Sequence, residues 1–224
     1  MKSLYIHHHM GLGDHICLNG LVWNLFNDQY DKTYLFCKEK YYSNLRHLYE
    51  KTNVELIPIG SVGSEISIVN DLVKNMSKEK DDFVRIGFCN IPENKPCDVY
   101  FYEMAGVPYK ERFDGFRLNR NIQEEKKVFD KLNPTGEDYI FIHDDSARGF
   151  IINVETNYKI IKNDISESIF HYGMIIEKAK EFHCVESCMR CYTESLNTDE
   201  VKLFYHDSVR PGNVLSTRKE WVIL

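Results

Sequence analysis

The chain has 224 residues, of which 43% are hydrophobic and 28% charged, with a formal charge of -6. That length can bury one large core or two of ~100 residues each, and a near-average composition excludes a disordered or fibrous protein. The acidic balance argues against nucleic acid as the main partner, because affinity for a phosphate backbone needs a basic surface that releases counterions.

In chain order, residues 4–9 read as a short strand, and beyond Gly11-Leu12-Gly13 the apolar positions Leu18, Leu21, Val22 and Leu25 recur at helical spacing. Residues 33–37 read as a second strand, followed by a helix with Tyr41, Tyr42, Leu45, Leu48 and Tyr49 on one face. Residues 54–59 follow as a strand, 64–76 as a helix opened by Ser64, and 83–88 as a strand. Pro92 and Pro96 mark a loop, and 99–105 read as a short helix stopped by Gly106 and Pro108. A polar helix over 122–132 ends before Asn133-Pro134-Thr135-Gly136, which leads into a second alternation: strand 139–143, helix 169–179, strand 182–185, helix 187–196, strand 201–205. There is no internal repeat and no low-complexity tract.

Strands alternating with helices predict parallel sheets covered on both faces, with ligands at the carboxyl ends of the strands. The expected fold class is α/β with two Rossmann-like lobes, residues 1–118 and 119–224. No run approaches the ~18 apolar residues of a membrane helix, and Met1-Lys2-Ser3 precedes only three apolar residues before His7, so a cytoplasmic protein without a membrane span is expected. Seven cysteines, an odd number, fit reduced thiols better than a secreted disulfide framework. His7-His8-His9 continues a strand-like run and is read as native.

Three constellations carry candidate chemistry. Gly11 and Gly13 permit close approach of a ligand to the chain, and the helix that follows would aim free N–H groups at it, although a structural turn could use the same glycines. Asp14 then stands where the helix begins, as a cap or as a general base, with His15 beside it as a possible partner in proton transfer because its ordinary pKa of ~6.5 lies nearer neutrality. The second constellation, His143 to Gly149, leaves an apolar strand at the ligand edge. Arg148 offers a donor fork suited to a diphosphate and Ser146 a hydroxyl; the bland alternative is a charged turn with an internal Asp-Arg pair. Asp144-Asp145 is a weak divalent-metal signal. In the third, Glu181 to Ser187, Ser187 caps a helix and Glu186 could accept from ribose hydroxyls. His183 with Cys184, Cys188 and Cys191 invites a zinc reading, but without a second Cys-x-x-Cys pair buried thiols are preferred. His206 and Arg210-Pro211 are further edge-of-sheet candidates, Trp23 and Trp221 packing residues, and the Tyr-rich stretch 100–109 core or acceptor platform.

Together, Met10-Gly11-Leu12-Gly13-Asp14-His15, Ile142-His143-Asp144-Asp145-Ser146-Ala147-Arg148 and Ala179 through Ser187 resemble GT-B-fold glycosyltransferases. The likeness is to small glycosyltransferase-like proteins of surface-glycan pathways in bacteria and large DNA viruses, while heptosyltransferases share the Gly-x-Gly-Asp portion. It covers both lobes and implies parallel sheets facing across a cleft. It implies Asp14 as catalytic base, and His15 beside it stays a catalytic candidate from its own chemistry. It implies donor contacts at Ser146, Arg148 and the Ser187 helix terminus, with Glu186 near the ribose; Gly11, Gly13, His143, His183 and His206 are further donor-site candidates, and His9, Tyr102 and Arg112 acceptor-site candidates. The chain departs from the pattern by its shortness and by Cys188-Met189-Arg190, where similar sequences are more apolar.

The function these features imply is transfer of a sugar from a nucleotide-diphosphate donor to a glycan hydroxyl, inverting, with no metal and no cofactor. A UDP- or GDP-linked donor carrying a hexose or a deoxyhexose such as rhamnose follows by analogy, and the partners are that nucleotide sugar and an oligosaccharide acceptor. Two rivals remain: a non-catalytic sugar-nucleotide or glycan-binding module, and a metal-dependent hydrolase built on His7, His9, Asp14 and Asp144.

Overall fold

The structure is a computed structural model that describes all residues except 61, 93–94, 165, 210 and 212–215. The chain divides into two compact units, Met1–Asn119 and Arg120–Leu224.

The first unit runs β1 (Ser3–His7), α1 (Leu12–Cys17), α2 (Asn19–Leu25), β2 (Lys32–Lys38), α3 (Tyr42–Tyr49), β3 (Val54–Ile59), α4 (Glu65–Met76), β4 (Asp82–Arg85), α5 (Cys97–Met104) and α6 (Glu111–Asp114). Its four strands are all parallel, in the order β3-β2-β1-β4. The chain therefore builds outward from β1 through β2 and β3, then returns to the other side of β1 for β4. This reversal puts the loops after β1 and β4 at the topological switch point, where an open parallel sheet leaves a crevice for ligands. One core holds Tyr5, Met10, Phe36, Ile59 and Val69; another gathers Leu18, Leu21, Ile86, Phe101, Tyr102 and Val107.

The helix expected from the Leu18–Leu25 periodicity is two short helices, broken at Leu18 (φ -95°, ψ 4°). Tyr102 closes the break: its buried hydroxyl donates to the Cys17 carbonyl at 3.0 Å and accepts from the Leu21 N–H at 3.1 Å. Gly20 is required by packing, since a Cβ there would collide with the Glu111 carbonyl of α6.

The second unit runs α7 (Ile122–Leu132), β5 (Tyr139–His143), β6 (Lys159–Lys162), α8 (Gly173–Glu177), β7 (Glu181–Val185), α9 (Cys188–Thr193), β8 (Lys202–His206) and β9 (Val222–Ile223). The five parallel strands lie in the order β6-β5-β7-β8-β9, so the switch point falls between β5 and β7. One face of this sheet carries the helices: Phe141 stacks on Tyr172, Phe129 meets Tyr139, and the Tyr139 hydroxyl donates to the Ile175 carbonyl. On the other face, Ile140, Ile142 and Val185 pack against Phe150, Ile152 and Val154 of the β5–β6 connection. Arg120 binds Glu125 and Glu177 together, which ties the start of α7 to α8.

No helix among the described residues is long and apolar enough to cross a membrane.

Candidate active site

The Gly11–Asp14 loop leaves the carboxyl end of β1. Gly11 caps α1 in an extended conformation (φ -69°, ψ 150°), and its N–H donates to Asp14 Oδ2 at 3.1 Å. A Cβ at Gly11 would lie 2.5 Å from that same oxygen. Glycine is needed here because the Asp14 carboxylate folds back over it, and not for a left-handed backbone. Gly13 lies inside α1. Asp14 is half-buried at the switch point.

The histidines around it are different. His7, His8 and His15 are fully buried. His7 Nδ1 accepts from Arg85 Nε at 3.0 Å, which fixes that nitrogen as unprotonated, and burial followed by the Arg85 charge pushes the ring down to about 3. His8 Nδ1–H donates to the His9 carbonyl at 2.6 Å, and burial pushes it down to about 4. His15 meets His8 edge-on at 4.4 Å, neither of its ring nitrogens has a partner among the described residues, and burial holds it well below the usual histidine range. The expected part of His15 in proton transfer is therefore corrected: it is a neutral imidazole sealed beneath Asp14's helix. His9 is half-buried; its Nε2–H donates to the Gly87 carbonyl at 2.5 Å, joining the loops after β1 and β4, and its ring lies between Phe88 and Phe101.

Two residues assigned to the acceptor turn out to be structural. Tyr102 is core, as described above. Arg112 is 4% exposed and ion-paired to Asp98, with Nη1 also on the Tyr109 hydroxyl and Nη2 at 3.4 Å from Cys17 Sγ. Its donors are spent on pinning α6 to α5 and α1.

In the second unit, the loop after β5 closes on itself. Asp145 accepts from the Arg148 N–H at 3.1 Å and from Arg148 Nε at 2.6 Å, Gly149 turns the chain with φ 82°, and Arg148 lies over the Phe150 ring. This is the internal Asp-Arg turn weighed against the diphosphate fork, and it leaves only the outer guanidinium nitrogens of an exposed Arg148 for a ligand. Ser146 is exposed on the same turn. Asp144 accepts from Lys162 Nζ at 2.6 Å. Burial lowers His143, and its Nδ1 has no partner among the described residues. No group of three or more His, Cys, Asp or Glu suited to a metal exists among the described residues, so His183, Cys184, Cys188 and Cys191 do not converge as a zinc site.

Across the switch point, β7 and β8 carry a hydrogen-bonded chain. His183 Nε2–H donates to Glu181 Oε2 at 3.2 Å, which leaves His183 Nδ1 to accept from His206 Nε2–H at 3.1 Å. Phe204 stacks on His183 with centroids 4.4 Å apart. Burial lowers both histidines, so the chain is neutral apart from the carboxylate that anchors it. His183 is thus a buried relay and not a direct ligand contact, whereas half-buried His206 ends the chain at the carboxyl end of β8. Glu186 and Ser187 follow β7, and Tyr205 beside them is pushed up to about 12, first by burial. Arg210, expected at this edge, lies outside the described residues.

No protein-family model and no curated protein matches the chain. Among solved structures, the glycosyl transferase family 9 from Veillonella parvula DSM 2008 matches with a TM-score of 0.58 at 11% identity, covering 100% of this chain and 85% of that one. The E. coli ADP-heptose LPS heptosyltransferase II matches with a TM-score of 0.55 at 11% identity, covering 100% of this chain and 90% of that one. The fold is that of the GT-B glycosyltransferases.

Within this fold, the Gly11-Leu12-Gly13-Asp14 loop occupies one switch point, and the loops holding Ser146, Arg148, Glu186 and Ser187 flank the other. Glu181, Lys162 and Asp98 were not singled out as partners from the sequence. Glu181 had a readable signal, because two residues before His183 on a strand is the same face. Asp98 had none, since its pairing with Arg112 is set by tertiary packing.

Proposed function

We propose that the chain is a glycosyltransferase that moves a sugar from a nucleotide-diphosphate donor to a glycan hydroxyl, with inversion and without a metal. The observation that carries the reading is the state of the first switch point. Along residues 7–15, His7, His8 and His15 are buried and held neutral, while Asp14 is the one carboxylate and is half-buried. A group that removes a proton from a hydroxyl has to be reachable, and Asp14 is the side chain with acid-base chemistry in this loop that is neither buried nor held by a neighbouring loop, which supports its part as the base.

In this mechanism Asp14 takes the proton of the acceptor hydroxyl as its oxygen forms a bond to the anomeric carbon. The bond from that carbon to the donor's phosphate oxygen breaks, and the electron pair leaves with the nucleoside diphosphate. Proton abstraction supplies ~10²–10⁴ in rate. The second unit holds the nucleotide, with Glu186 on the ribose hydroxyls and the Ser146 and Ser187 loops on the phosphates. Fixed donors aimed at a developing charge are each worth ~3 kcal/mol. Helix α9, only six residues long, adds little dipole of its own. The donor sugar is a hexose or deoxyhexose on UDP or GDP.

The test is a screen of nucleotide sugars by thermal shift, followed by turnover of the stabilising donor with chelator present. A ligand at 100 times its Kd adds ~2.7 kcal/mol. Slow release of nucleoside diphosphate supports the transferase reading. Binding without any turnover, with or without glycan acceptors, supports a non-catalytic binding module instead, and activity abolished by chelator removes metal independence.

A further inference from the structure

Two buried hydrogen-bond donors on the first turn after β7 have no acceptor among the described residues. Arg190 is 3% exposed, and neither its Nε nor its Nη1 has a partner among the described residues. Ser187 Oγ, three residues earlier, is also sealed and without a partner there. Ser187 is the N-cap of α9 but its side chain caps nothing, and Arg190 is the third helical residue, so the two side chains rise from one turn.

The Arg190 guanidinium lies 3.9 Å from the centroid of the Tyr205 ring and 5.6 Å from that of Trp221. Aromatic faces suit a planar, weakly hydrated cation, but they offer its in-plane N–H groups no acceptor. Four other arginines that stand against neighbouring side chains all reach an acceptor. Arg85 donates to His7 and Asn70, Arg112 to Asp98, Arg120 to Glu125 and Glu177, and Arg148 to Asp145. A buried charge is normally paired and a buried donor normally satisfied, so an arginine stacked in place and left without an acceptor marks a missing partner. A buried guanidinium and a buried hydroxyl on one turn call for a group rich in acceptor oxygens and negatively charged. The turn they share follows β7, at the switch point where Glu186 also stands.

We propose that Arg190 and Ser187 form the anion subsite of the second unit and bind the diphosphate of the nucleotide donor, in the place first assigned to Arg148. This rests on the second unit being the nucleotide-binding lobe. The guanidinium is a fixed positive charge, held by stacking before the ligand arrives, and needs no rearrangement as charge builds on the leaving diphosphate.

The experiment is calorimetric titration of inorganic diphosphate, then of UDP, GDP and ADP, into the full chain and the variants Arg190→Met, Ser187→Ala and Arg148→Ala, with melting curves for each. Inorganic diphosphate is expected to bind and stabilise the wild type. Arg190→Met is expected to weaken binding by about 30-fold or more, the range for a lost charged hydrogen bond, and Ser187→Ala by about 5-fold. Without ligand, Arg190→Met should melt no lower than wild type, because it removes an unpaired buried charge while keeping apolar packing on Tyr205; a purely structural arginine would lower it. Arg148→Ala should stay within about 3-fold. Should Arg190→Met unfold the chain, Ser187→Ala decides. The proposal is overturned if the wild type does not bind inorganic diphosphate, or if both Ser187→Ala and any folded Arg190 variant bind it as wild type does. Diphosphate binding through Arg190 without turnover of any nucleotide sugar would keep this subsite and remove the transferase reading. Turnover with Arg190 dispensable would do the reverse.

Discussion

His15→Leu isolates one member of the buried histidine cluster. His15 is fully enclosed, both of its ring nitrogens lack partners among the described residues, and burial holds it neutral; His8 and His7 are pushed down to about 4 and about 3, mainly by burial. Above pH ~6.5 such a ring is neutral folded or unfolded and its titration contributes nothing. Below that value the unfolded chain takes up the proton and the folded chain does not, so stability falls with pH until the folded value is reached. Between pH 7 and 5.5 each ring costs on the order of 1 kcal/mol, or several kcal/mol for the three, against a total stability of ~5–15 kcal/mol. Most carboxylates titrate below that window. Urea unfolding followed by Trp23 fluorescence in a Trp221→Phe background reports on the first unit. His15→Leu should be at least as stable as the parent at pH 7, since it removes two unsatisfied nitrogens, and its loss on acidification should be smaller by on the order of 1 kcal/mol. An unchanged pH dependence in His15→Leu, or a parent equally stable at both pH values, would refute a neutral, sealed His15.

Tyr102→Phe should destabilise the first unit by ~1–3 kcal/mol in urea, because the Cys17 carbonyl and the Leu21 N–H are left unsatisfied at the α1–α2 break, with no change in acceptor KM. A KM effect without a stability effect would return Tyr102 to the acceptor site. Arg120→Met should destabilise the second unit by ~3–5 kcal/mol, since it strands the fully buried Glu125 carboxylate; adding Glu125→Gln should recover part of that loss, and strictly additive losses would contradict the pairing.

The alternation of apolar strands and amphipathic helices was enough to read two parallel sheets, because β1, β2, β5 and β7 are largely buried runs whose pattern depends on local sequence. The edges of the second sheet were not legible. β6 is four residues with a lysine at each end, and β9 is an exposed pair near the end of the chain. The Gly11–Asp14 loop was visible as a motif, but its physical reason, a carboxylate folded over a glycine, needs three dimensions. Tyr102 and Arg112 went wrong for a shared reason. A polar residue reads as surface until its partner is known, and here the partners are a helix break and Asp98, 81 to 85 and 14 residues away in sequence. Arg190 stood out in the sequence only as a departure from an apolar pattern; its burial without an acceptor is a property of the fold.

The most direct test of the account is Asp14→Asn. The amide oxygen can still accept the Gly11 N–H, so the loop and the fold should persist with a melting temperature within about 2 °C of wild type. With an activating donor and acceptor in hand, nucleotide affinity should stay within about 2-fold while kcat for transfer falls by ~10²–10⁴. Transfer at the wild-type rate in the Asp14→Asn variant would contradict the assignment of the base and, with it, the mechanism built on the first switch point.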